Sequence, residues 1–312
     1  MKEPTVTIVV PTYQRLHYLK EALKSALAQT YTDFELIVSD DSSSNEIADY
    51  VASLKDSRIR YRRNVKNLGI AMNNHAAFSE AKGRYIASLH DDDIWESEFL
   101  AALVPALEAD AEITVAFCDH HIIDEKGRLL PERSDRNTHF FRRDRLSPGR
   151  HQPFIGPAII DSAIPMVMAA VFRRSILENT EYPRRIGGSY DYWLAFLAVK
   201  NGRAVHYVPR RLTRYRLHPH SGTIVRGIRN LRDSIYTRRK VLAAPEVVPY
   251  QREMRNELGV FYGKLALFYL MRHSFGRGKI FLKEAFSLLN RPKNILALGV
   301  NAFMAWGKGI RQ

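Results

Sequence analysis

Apolar strands alternate with helical repeats from residue 5 to residue 89, and this order constrains the fold more than any other feature of the sequence. The predicted strands are residues 5–10, 34–38, 59–62 and 85–89, and the predicted helices are residues 18–29, 45–53 and 71–81. In the first helix Leu19, Leu23 and Ala26 recur at helical spacing. Because strands separated by helices pair in parallel through right-handed crossovers, we predict an α/β chain with a doubly wound, mostly parallel sheet.

Three consecutive carboxylates, Asp91, Asp92 and Asp93, follow the predicted strand at residues 85–89. Like charges repel, so a folded chain seldom holds such a run unless a cation neutralises it. In open α/β sheets, ligands bind at the carboxyl ends of the strands, where this run would lie. The alternative is a solvated acidic turn or a helix start, with Asp93 capping a helix over residues 95–107.

The composition is that of an ordinary globular protein, with 46% hydrophobic and 26% charged residues in a chain of 312. No stretch approaches the ~18 apolar residues that a membrane-spanning helix needs, and the N-terminus shows no signal-peptide pattern. The single cysteine, Cys118, excludes an internal disulfide and a multi-cysteine zinc site, and we expect it in the core. These features predict a cytoplasmic protein.

The net charge of +14 is unevenly distributed. The Arg-rich segments are residues 142–150, 203–216 and 226–240. Anionic lipid, nucleic acid or a phosphate-bearing substrate would each explain this excess, and a generic solvated surface is the alternative. No helix-turn-helix, zinc-finger or RNA-binding motif is visible, so we expect no nucleic-acid partner.

The rest of the chain is predicted from the same patterns. Further strands are predicted at residues 114–117, 169–172, 204–208 and 212–217, with a helix at 192–200. Residues 127–165 show little periodicity, and a segment of that length is expected to be functional or partly mobile. From residue 228 the pattern is helical and basic, which predicts a domain boundary near residue 224, with domains 1–224 and 225–312.

Seven short motifs, in order and at characteristic spacing, resemble the family 2 glycosyltransferases, which have the A-type nucleotide-sugar fold (GT-A). They are VVPTY at 9–13 with Arg15, FELIVSDDSS at 34–43, NLG at 67–69 with Asn74, AKGRYI at 81–86, the acidic run 91–93, YDYW at 190–193 and YRLH at 215–218. Each motif is weak alone, and the ordered set is strong. The resemblance implies a GT-A-like, Rossmann-related catalytic domain with a helical C-terminal extension.

The resemblance also implies where the nucleotide sugar binds. The candidate residues are Pro11, Thr12, Tyr13, Arg15, Asp41, Asn74 and Asp91. In this assignment Asp41 recognises the base while Asp40 is held in the turn, and Asp91 holds the ribose or the metal. The alternatives are that Thr12 and Tyr13 pack on the next helix and that Asp41 is a helix cap.

By the same resemblance, Asp92 binds a divalent metal that bridges both phosphates, with His218 and Asp93 as further candidate ligands. Oxygen ligands favour Mn²⁺ or Mg²⁺ over a thiol-preferring ion. His218 could instead contact the pyrophosphate or be structural, and Asp93 could be a cap. The family often has an acid at the position of His90, so the two-position acidic pattern is shifted in this chain. Which acid takes which role therefore differs from the family pattern.

Asp191 is the candidate general base, since a carboxylate there could take the proton from an acceptor hydroxyl as it attacks the anomeric carbon. Attack opposite the leaving nucleotide gives inversion without a covalent intermediate. The alternative role of Asp191 is a helix cap. Many relatives carry two acids at this place, whereas this chain has Tyr190 beside Asp191.

The sequence therefore predicts a metal-dependent inverting glycosyltransferase that moves a sugar from a UDP- or dTDP-sugar to a glycan, lipid-linked or polysaccharide-precursor acceptor. The alternatives are a sugar nucleotidylyltransferase and a nonenzymatic basic nucleic-acid- or membrane-binding protein. The absence of glycine in residues 11–15 argues against the nucleotidylyltransferase. The basic helices 262–271 and 279–289 and the apolar stretch 295–306 suit peripheral contact with an anionic membrane at its inner face; packing or a homodimer interface is the alternative.

Overall fold

The computed structural model describes residues 3–221 and 227–289. The chain divides into two compact units, Met1–Ser221 and Gly222–Gln312. The first half of the first unit contains four parallel strands in the order β3-β2-β1-β4. The strands are β1 (Val6–Thr12), β2 (Phe34–Asp40), β3 (Ile59–Arg63) and β4 (Tyr85–Ser88), and the helices are α1 (Leu16–Leu27), α2 (Glu46–Ser53) and α3 (Ile70–Phe78). The predicted α/β class and the mostly parallel sheet are confirmed.

Three of the parallel strands, β1, β2 and β4, are almost wholly buried, which explains their apolar runs, whereas the edge strand β3 is half-buried. Every residue of β1 is buried, and α1 buries Leu19, Ala22, Leu23 and Ala26, which follow the helical repeat. Gly83 sits where the chain passes close to β1: a Cβ there would lie 2.5 Å from the Thr7 nitrogen. Only glycine allows this approach, so Gly83 sets how β4 lies beside β1.

The second half of the unit extends the sheet in mixed directions. Its strands are β5 (Ile94–Trp95), β6 (Ile113–Ile123), β7 (Gly149–His151), β8 (Ala170–Arg173) and β9 (Ala204–Arg216), and its helices are α4 (Phe99–Ala109), α5 (Pro131–Phe140), α6 (Ile155–Ile159) and α7 (Tyr190–Val199). The sheet continues from β4 through β8, β6 and β9 to β5, and β7 also pairs with β9. Strand β8 runs antiparallel to both β4 and β6, while β6 and β9 are parallel. Cys118 is fully buried in β6, as expected.

Two local predictions were wrong, those for the helix after Trp95 and for two separate strands at 204–208 and 212–217, and residues 127–165 hold more regular structure than their weak periodicity indicated. Helix α4 begins at Phe99 after Glu98, so Asp93 does not cap it, and Trp95 lies in β5 with its indole N–H on the Met168 carbonyl. Residues 127–165 are not structureless, since they contain α5, β7 and α6. The two strands predicted at 204–208 and 212–217 form the single strand β9.

The continuity of β9 across Pro209 has a physical reason. The partner of Cys118 is Val208 and the partner of Asp119 is Arg211, so the pairing skips two residues of β9. Proline cannot donate a ladder hydrogen bond. Because Pro209 lies in this irregularity, the ladder loses nothing and the strand continues.

The second unit is helical over its described residues. It contains α8 (Gly227–Leu242), α9 (Gln251–Leu270) and α10 (Phe275–Leu288). Its small core consists of Ile235, Leu258, Tyr262, Leu265, Tyr269 and Ala285. Within residues 3–221 and 227–289, no helix has the length and apolar character needed to cross a bilayer. The predicted apolar stretch at 295–306 lies outside the described residues.

Candidate active site

The polar residues of the site collect at the carboxyl ends of the central parallel strands. Thr12 ends β1, Asp40 ends β2 with Asp41 next, and the acidic run follows β4. Asp91, Asp92 and Asp93 are all buried. Parallel strands end at one edge of a sheet, so the topology itself produces this cluster.

Arg15 neutralises the first two carboxylates of the run. Its guanidinium lies 2.5 Å from an oxygen of Asp91 and 2.5 Å from an oxygen of Asp92. The Tyr13 N–H donates to the other oxygen of Asp91 at 3.4 Å. Burial raises the pKa of Asp91 to about 6, against the attraction of Arg15. The cation that the acidic run requires is therefore, in part, supplied by the chain itself.

Asp92 joins the run to the end of β9. Burial acts to raise its pKa, but the hydrogen bond from His218 and the charge of Arg15 outweigh burial and lower the pKa to about 2. The His218 Nε2 lies 3.0 Å from Asp92 Oδ2, while the buried Nδ1 of His218 has no hydrogen-bond partner. Asp92 and His218 thus offer an ionised oxygen and an imidazole at one place.

Asp93 is held on both of its oxygens. One accepts the Arg216 N–H at 2.9 Å, and the other lies 3.1 Å from His90 Nδ1. Atoms of His90, Asp92 and Asp93 lie within 4.8 Å of one another, which is compatible with a metal ion. Asp92 belongs to this group and also contacts His218, so it is the residue that the two sets of contacts share.

His90 and Tyr190, the two positions at which the chain departs from the family pattern, contact each other. The His90 Nε2 is hydrogen-bonded to the Tyr190 hydroxyl. Burial acts to lower the pKa of His90, but the hydrogen bond and charge of Asp93 outweigh it and raise the pKa to about 9. The imidazolium therefore donates to Asp93 and to Tyr190, and it links the acidic run to the start of α7.

Asp191 lies in the first turn of α7, where Ser189 precedes the helix. Its Oδ1 accepts the Val167 N–H at 2.9 Å. Burial raises its pKa, which makes the carboxylate a stronger base than an exposed one. The chain Asp93–His90–Tyr190 brings this carboxylate into the same site as the acidic run.

The residues predicted to recognise the base differ in availability. Tyr13 is 45% exposed, whereas Pro11 and Thr12 are buried in β1. Both oxygens of Asp41 have partners, the Asn64 side-chain amide at 2.7 Å and the Gly69 N–H at 3.0 Å. Asp40 is held in the turn, as expected, by the Ser42 N–H and the Tyr61 hydroxyl.

Asn74 lies beneath the sheet edge. Its amide group bonds the Ile70 carbonyl and accepts from the Ser88 hydroxyl, and the residue is fully buried. Both ends of this side chain are used inside the protein. Contact of Asn74 with the nucleotide sugar would require one of these hydrogen bonds to break, and this assignment stays a prediction.

Arg216 belongs to the YRLH motif, and its side chain is held inside the protein. Its guanidinium is buried between the Asp92 carbonyl, the Glu125 carbonyl and the Glu21 carboxylate. We call these three contacts the Arg216 brace. The sequence did not predict it, nor did it predict the role of Asn64, whose side-chain amide donates to Asp41. The available signal for Asn64 was its position directly after β3, where polar residues of a sheet edge collect.

The family follows from a sequence comparison. Residues 7–179 match the model of Glycosyl transferase family 2, which is more than half of the chain. The chain belongs to this family. The predicted glycosyltransferase class is confirmed.

Individual relatives share modest sequence identity with the chain, over part of their length. An uncharacterized glycosyltransferase of Rickettsia conorii is 24% identical over 72% of the chain, which spans only 35% of that relative's length. The Escherichia coli UDP-Glc:alpha-D-GlcNAc-diphosphoundecaprenol beta-1,3-glucosyltransferase WfgD is 39% identical over 95 residues, which cover 30% of the chain and 38% of WfgD.

Solved structures share the fold. Staphylococcus aureus TarS 1–349, solved with UDP-GlcNAc, matches with a TM-score of 0.63 and 14% identity, covering 92% of this chain and 93% of that one. The mannosyltransferase PcManGT of Pyrobaculum calidifontis, solved with GDP-Man and Mn²⁺, matches with a TM-score of 0.61 and 17% identity, covering 97% and 81%. At these identities the likeness shows the GT-A-type fold, in agreement with the prediction.

Proposed function

We propose that this family 2 glycosyltransferase is metal-dependent and inverting, and that it transfers a sugar from a UDP-sugar, or else a dTDP-sugar, to a lipid-linked or glycan hydroxyl. The observation that carries the proposal is the buried cluster of Asp91, Asp92, Arg15 and His218 at the carboxyl edge of the sheet. Such a cluster combines what a nucleotide diphosphate needs, namely a divalent-ion site and a fixed positive charge.

The donor nucleotide would lie over the ends of β1 and β2. The exposed ring of Tyr13 offers a flat contact, and the buried Thr12 hydroxyl has no partner. Asp41 faces this edge, already oriented by Asn64 and Gly69, with lone pairs left to accept from a base N–H. A UDP donor is supported by WfgD, which is named for UDP-Glc, and by TarS, which was solved with UDP-GlcNAc.

The residues fit a hard divalent cation such as Mn²⁺ or Mg²⁺. Asp92 and His218 would hold it, His218 through one of its two ring nitrogens, while Asp93 is fixed by the Arg216 N–H. When bound, such an ion neutralises negative charge on the diphosphate leaving group. Arg15 already lies between Asp91 and Asp92, so it supplies further positive charge at the phosphates.

Asp191 is proposed as the general base. The Val167 N–H fixes one of its oxygens, and burial raises its pKa, so the carboxylate is ready to accept the proton of an acceptor hydroxyl. The hydroxyl oxygen then bonds the anomeric carbon as the bond to the nucleotide breaks. A single displacement of this kind inverts the anomeric centre.

The acceptor is proposed to be a lipid-linked sugar at the inner face of the cell membrane. Two relatives from Escherichia coli, WfgD and WfaP, are named for transfer to GlcNAc-diphosphoundecaprenol. We propose residues 127–165, whose α5 packs on β6 and whose β7 pairs with β9, as the acceptor-binding segment. Cytoplasmic location with peripheral membrane contact, and a homodimer, remain predictions.

The first experiment is a calorimetric titration with UDP, dTDP and GDP, each with and without Mn²⁺. We expect tight binding of UDP only with metal, lost on chelation with EDTA. Asp92→Asn is expected to abolish the Mn²⁺-dependent binding of UDP, because the substitution removes the ionised carboxylate that would bind the metal. Asp191→Asn is the matched control, since it should bind UDP as the wild type does.

An assay of sugar transfer distinguishes the role of Asp92 from that of Asp191. Asp191→Asn is expected to lower the turnover number by at least ~10²-fold, the usual contribution of a general base. Metal-dependent UDP binding by the Asp92 variant would contradict the metal assignment. Full turnover by the Asp191 variant would contradict its assignment as the base.

A further inference from the structure

We propose that one face of α10 docks the protein on an anionic lipid surface. The face consists of Phe275, Lys279, Lys283 and Phe286, and we call it the basic aromatic face. It gives the membrane contact proposed above a defined location. It lies in the second unit, apart from the residues assigned to the sugar chemistry, and its test uses no nucleotide or sugar.

Helix geometry places these four residues together. At ~100° per residue, positions 275, 279, 283 and 286 fall within an arc of about 80°. Gly278 and Ala285 occupy the buried side of α10, where a Cβ at Gly278 would lie 2.5 Å from Leu270 of α9. The centre of the basic aromatic face therefore lies about 110° around the helix from this buried side, and all four of its residues are exposed.

The apolar members of the face are not covered. Phe275 is 56% exposed and Phe286 is 46% exposed, and Met271, in the turn before α10, is 47% exposed. Exposed aromatic side chains grouped on one helix face mark an interaction surface, because a monomer in water gains nothing from them.

The charges on this face are all positive. Across the described residues of both units, neither Lys279 nor Lys283 has a carboxylate within ion-pair distance, and neither does Arg272 in the adjacent turn. Glu284 is nine residues beyond Phe275 and so points to the opposite side of α10.

This combination of cations and bulky apolar groups indicates which partner binds the basic aromatic face. Aromatic side chains flanked by lysines suit the headgroup region of an anionic membrane, where rings enter the acyl boundary and ammonium groups meet lipid phosphates. A polyanion such as nucleic acid would use the lysines but not the phenylalanine rings. A second copy of the chain would carry the same positive charges and repel them.

The test is co-sedimentation of the whole chain with vesicles of phosphatidylcholine, alone or mixed with phosphatidylglycerol. We expect binding to the mixed vesicles that weakens as salt rises. Lys279→Gln with Lys283→Gln should weaken binding by roughly 25-fold, about fivefold for each charge. Phe275→Ser with Phe286→Ser should weaken it by at least about tenfold.

Matched controls come from the same chain. Ile280 is 61% exposed on α10 but lies on another side of the helix, and Phe140 is 75% exposed in the first unit. Ile280→Ser and Phe140→Ser should bind vesicles as the wild type does. Circular dichroism verifies that each variant is folded.

Three outcomes would overturn the proposal. The first is equal binding to neutral and anionic vesicles, or none. The second is loss of binding with the lysine variant but not with the phenylalanine variant, which would indicate a general polyanion surface. The third is a dimer in light scattering that only the phenylalanine variant dissociates, without effect on lipid binding. UDP binding by the same variants is measured separately, so failure here is distinguishable from failure of the proposed function.

Discussion

At the residue scale, the pairing of His90 with Tyr190 explains two departures from the family pattern at once. Each alone looks like the loss of an acid, but in the fold the imidazole bonds the phenol while its other nitrogen faces Asp93. The change at one position is matched by the change at the other. The pair then connects the end of β4 to the start of α7, which carries Asp191.

Tyr190→Phe tests this pair. The ring still fills its buried position, but His90 Nε2 loses its acceptor, so we expect the free energy of unfolding to fall by about 1–3 kcal/mol. Tyr182→Phe is the matched control because the buried Tyr182 hydroxyl has no partner. Chemical denaturation measures both variants. Equal stability of Tyr190→Phe and the wild type would show that the hydrogen bond contributes little.

A second buried pair supports the turn after α5. Arg143, almost wholly buried, lies 3.0 Å from Asp119 of β6, which also accepts from Thr138. Burial acts to raise the pKa of Asp119, but the charge of Arg143 and the hydrogen bonds outweigh it and lower the pKa. The ionised carboxylate therefore contributes stability above its unfolded pKa of ~3.9, and this contribution is lost as pH falls through the lower folded value.

Asp119→Asn should therefore lower the free energy of unfolding at neutral pH by about 3–5 kcal/mol, because Arg143 keeps a buried charge without its partner. Below about pH 4 the difference from the wild type should narrow, since Asp119 of the unfolded wild-type chain takes up a proton there while the folded carboxyl, with its lowered pKa, still does not. Thermal unfolding across this pH range measures the difference. A gap that stays constant down to pH 2 would contradict the assigned ionisation.

At the element scale, the sequence predicted regular elements well where the pattern was continuous. The alternation up to residue 89 predicted β1 to β4 and α1 to α3 within a few residues of their observed bounds, because β1, β2 and β4 are almost wholly buried and so carry continuous apolar runs. It failed in residues 127–165, where α5 has almost no buried face and is held by polar contacts such as Ser134 on Ile122. A helix without an apolar stripe leaves no periodic signal.

The same scale explains which site residues were predictable. Asp91, Asp92 and His218 belong to recognisable sequence motifs. They come together because their motifs follow the ends of β4 and β9. The brace made by Arg216 depends on Glu21 of α1, nearly two hundred positions earlier in the chain. No local pattern signals such a pair, because it follows from the way the strands are ordered in the sheet.

At the scale of the whole molecule, the two compact units suggest separate tasks. All residues assigned to the donor, the metal and the base lie before residue 222, as does the family match at 7–179. The basic aromatic face lies in the second unit, which has its own core around Leu258, Tyr262 and Leu265. We therefore expect nucleotide binding and vesicle binding to be separable.

A fragment of residues 1–221 tests this division. Its sheet and the core between the sheet and α1, α2 and α4 involve no residue of the second unit, so we expect the fragment to fold and to bind UDP with Mn²⁺ as tightly as the whole chain. It should not bind phosphatidylglycerol vesicles, because Phe275, Lys279, Lys283 and Phe286 are absent. Calorimetry and co-sedimentation measure the two properties on one preparation. An unfolded fragment, or a folded one that no longer binds nucleotide, would mean that the helical unit supports the catalytic one; vesicle binding by the fragment would move the lipid contact to the first unit.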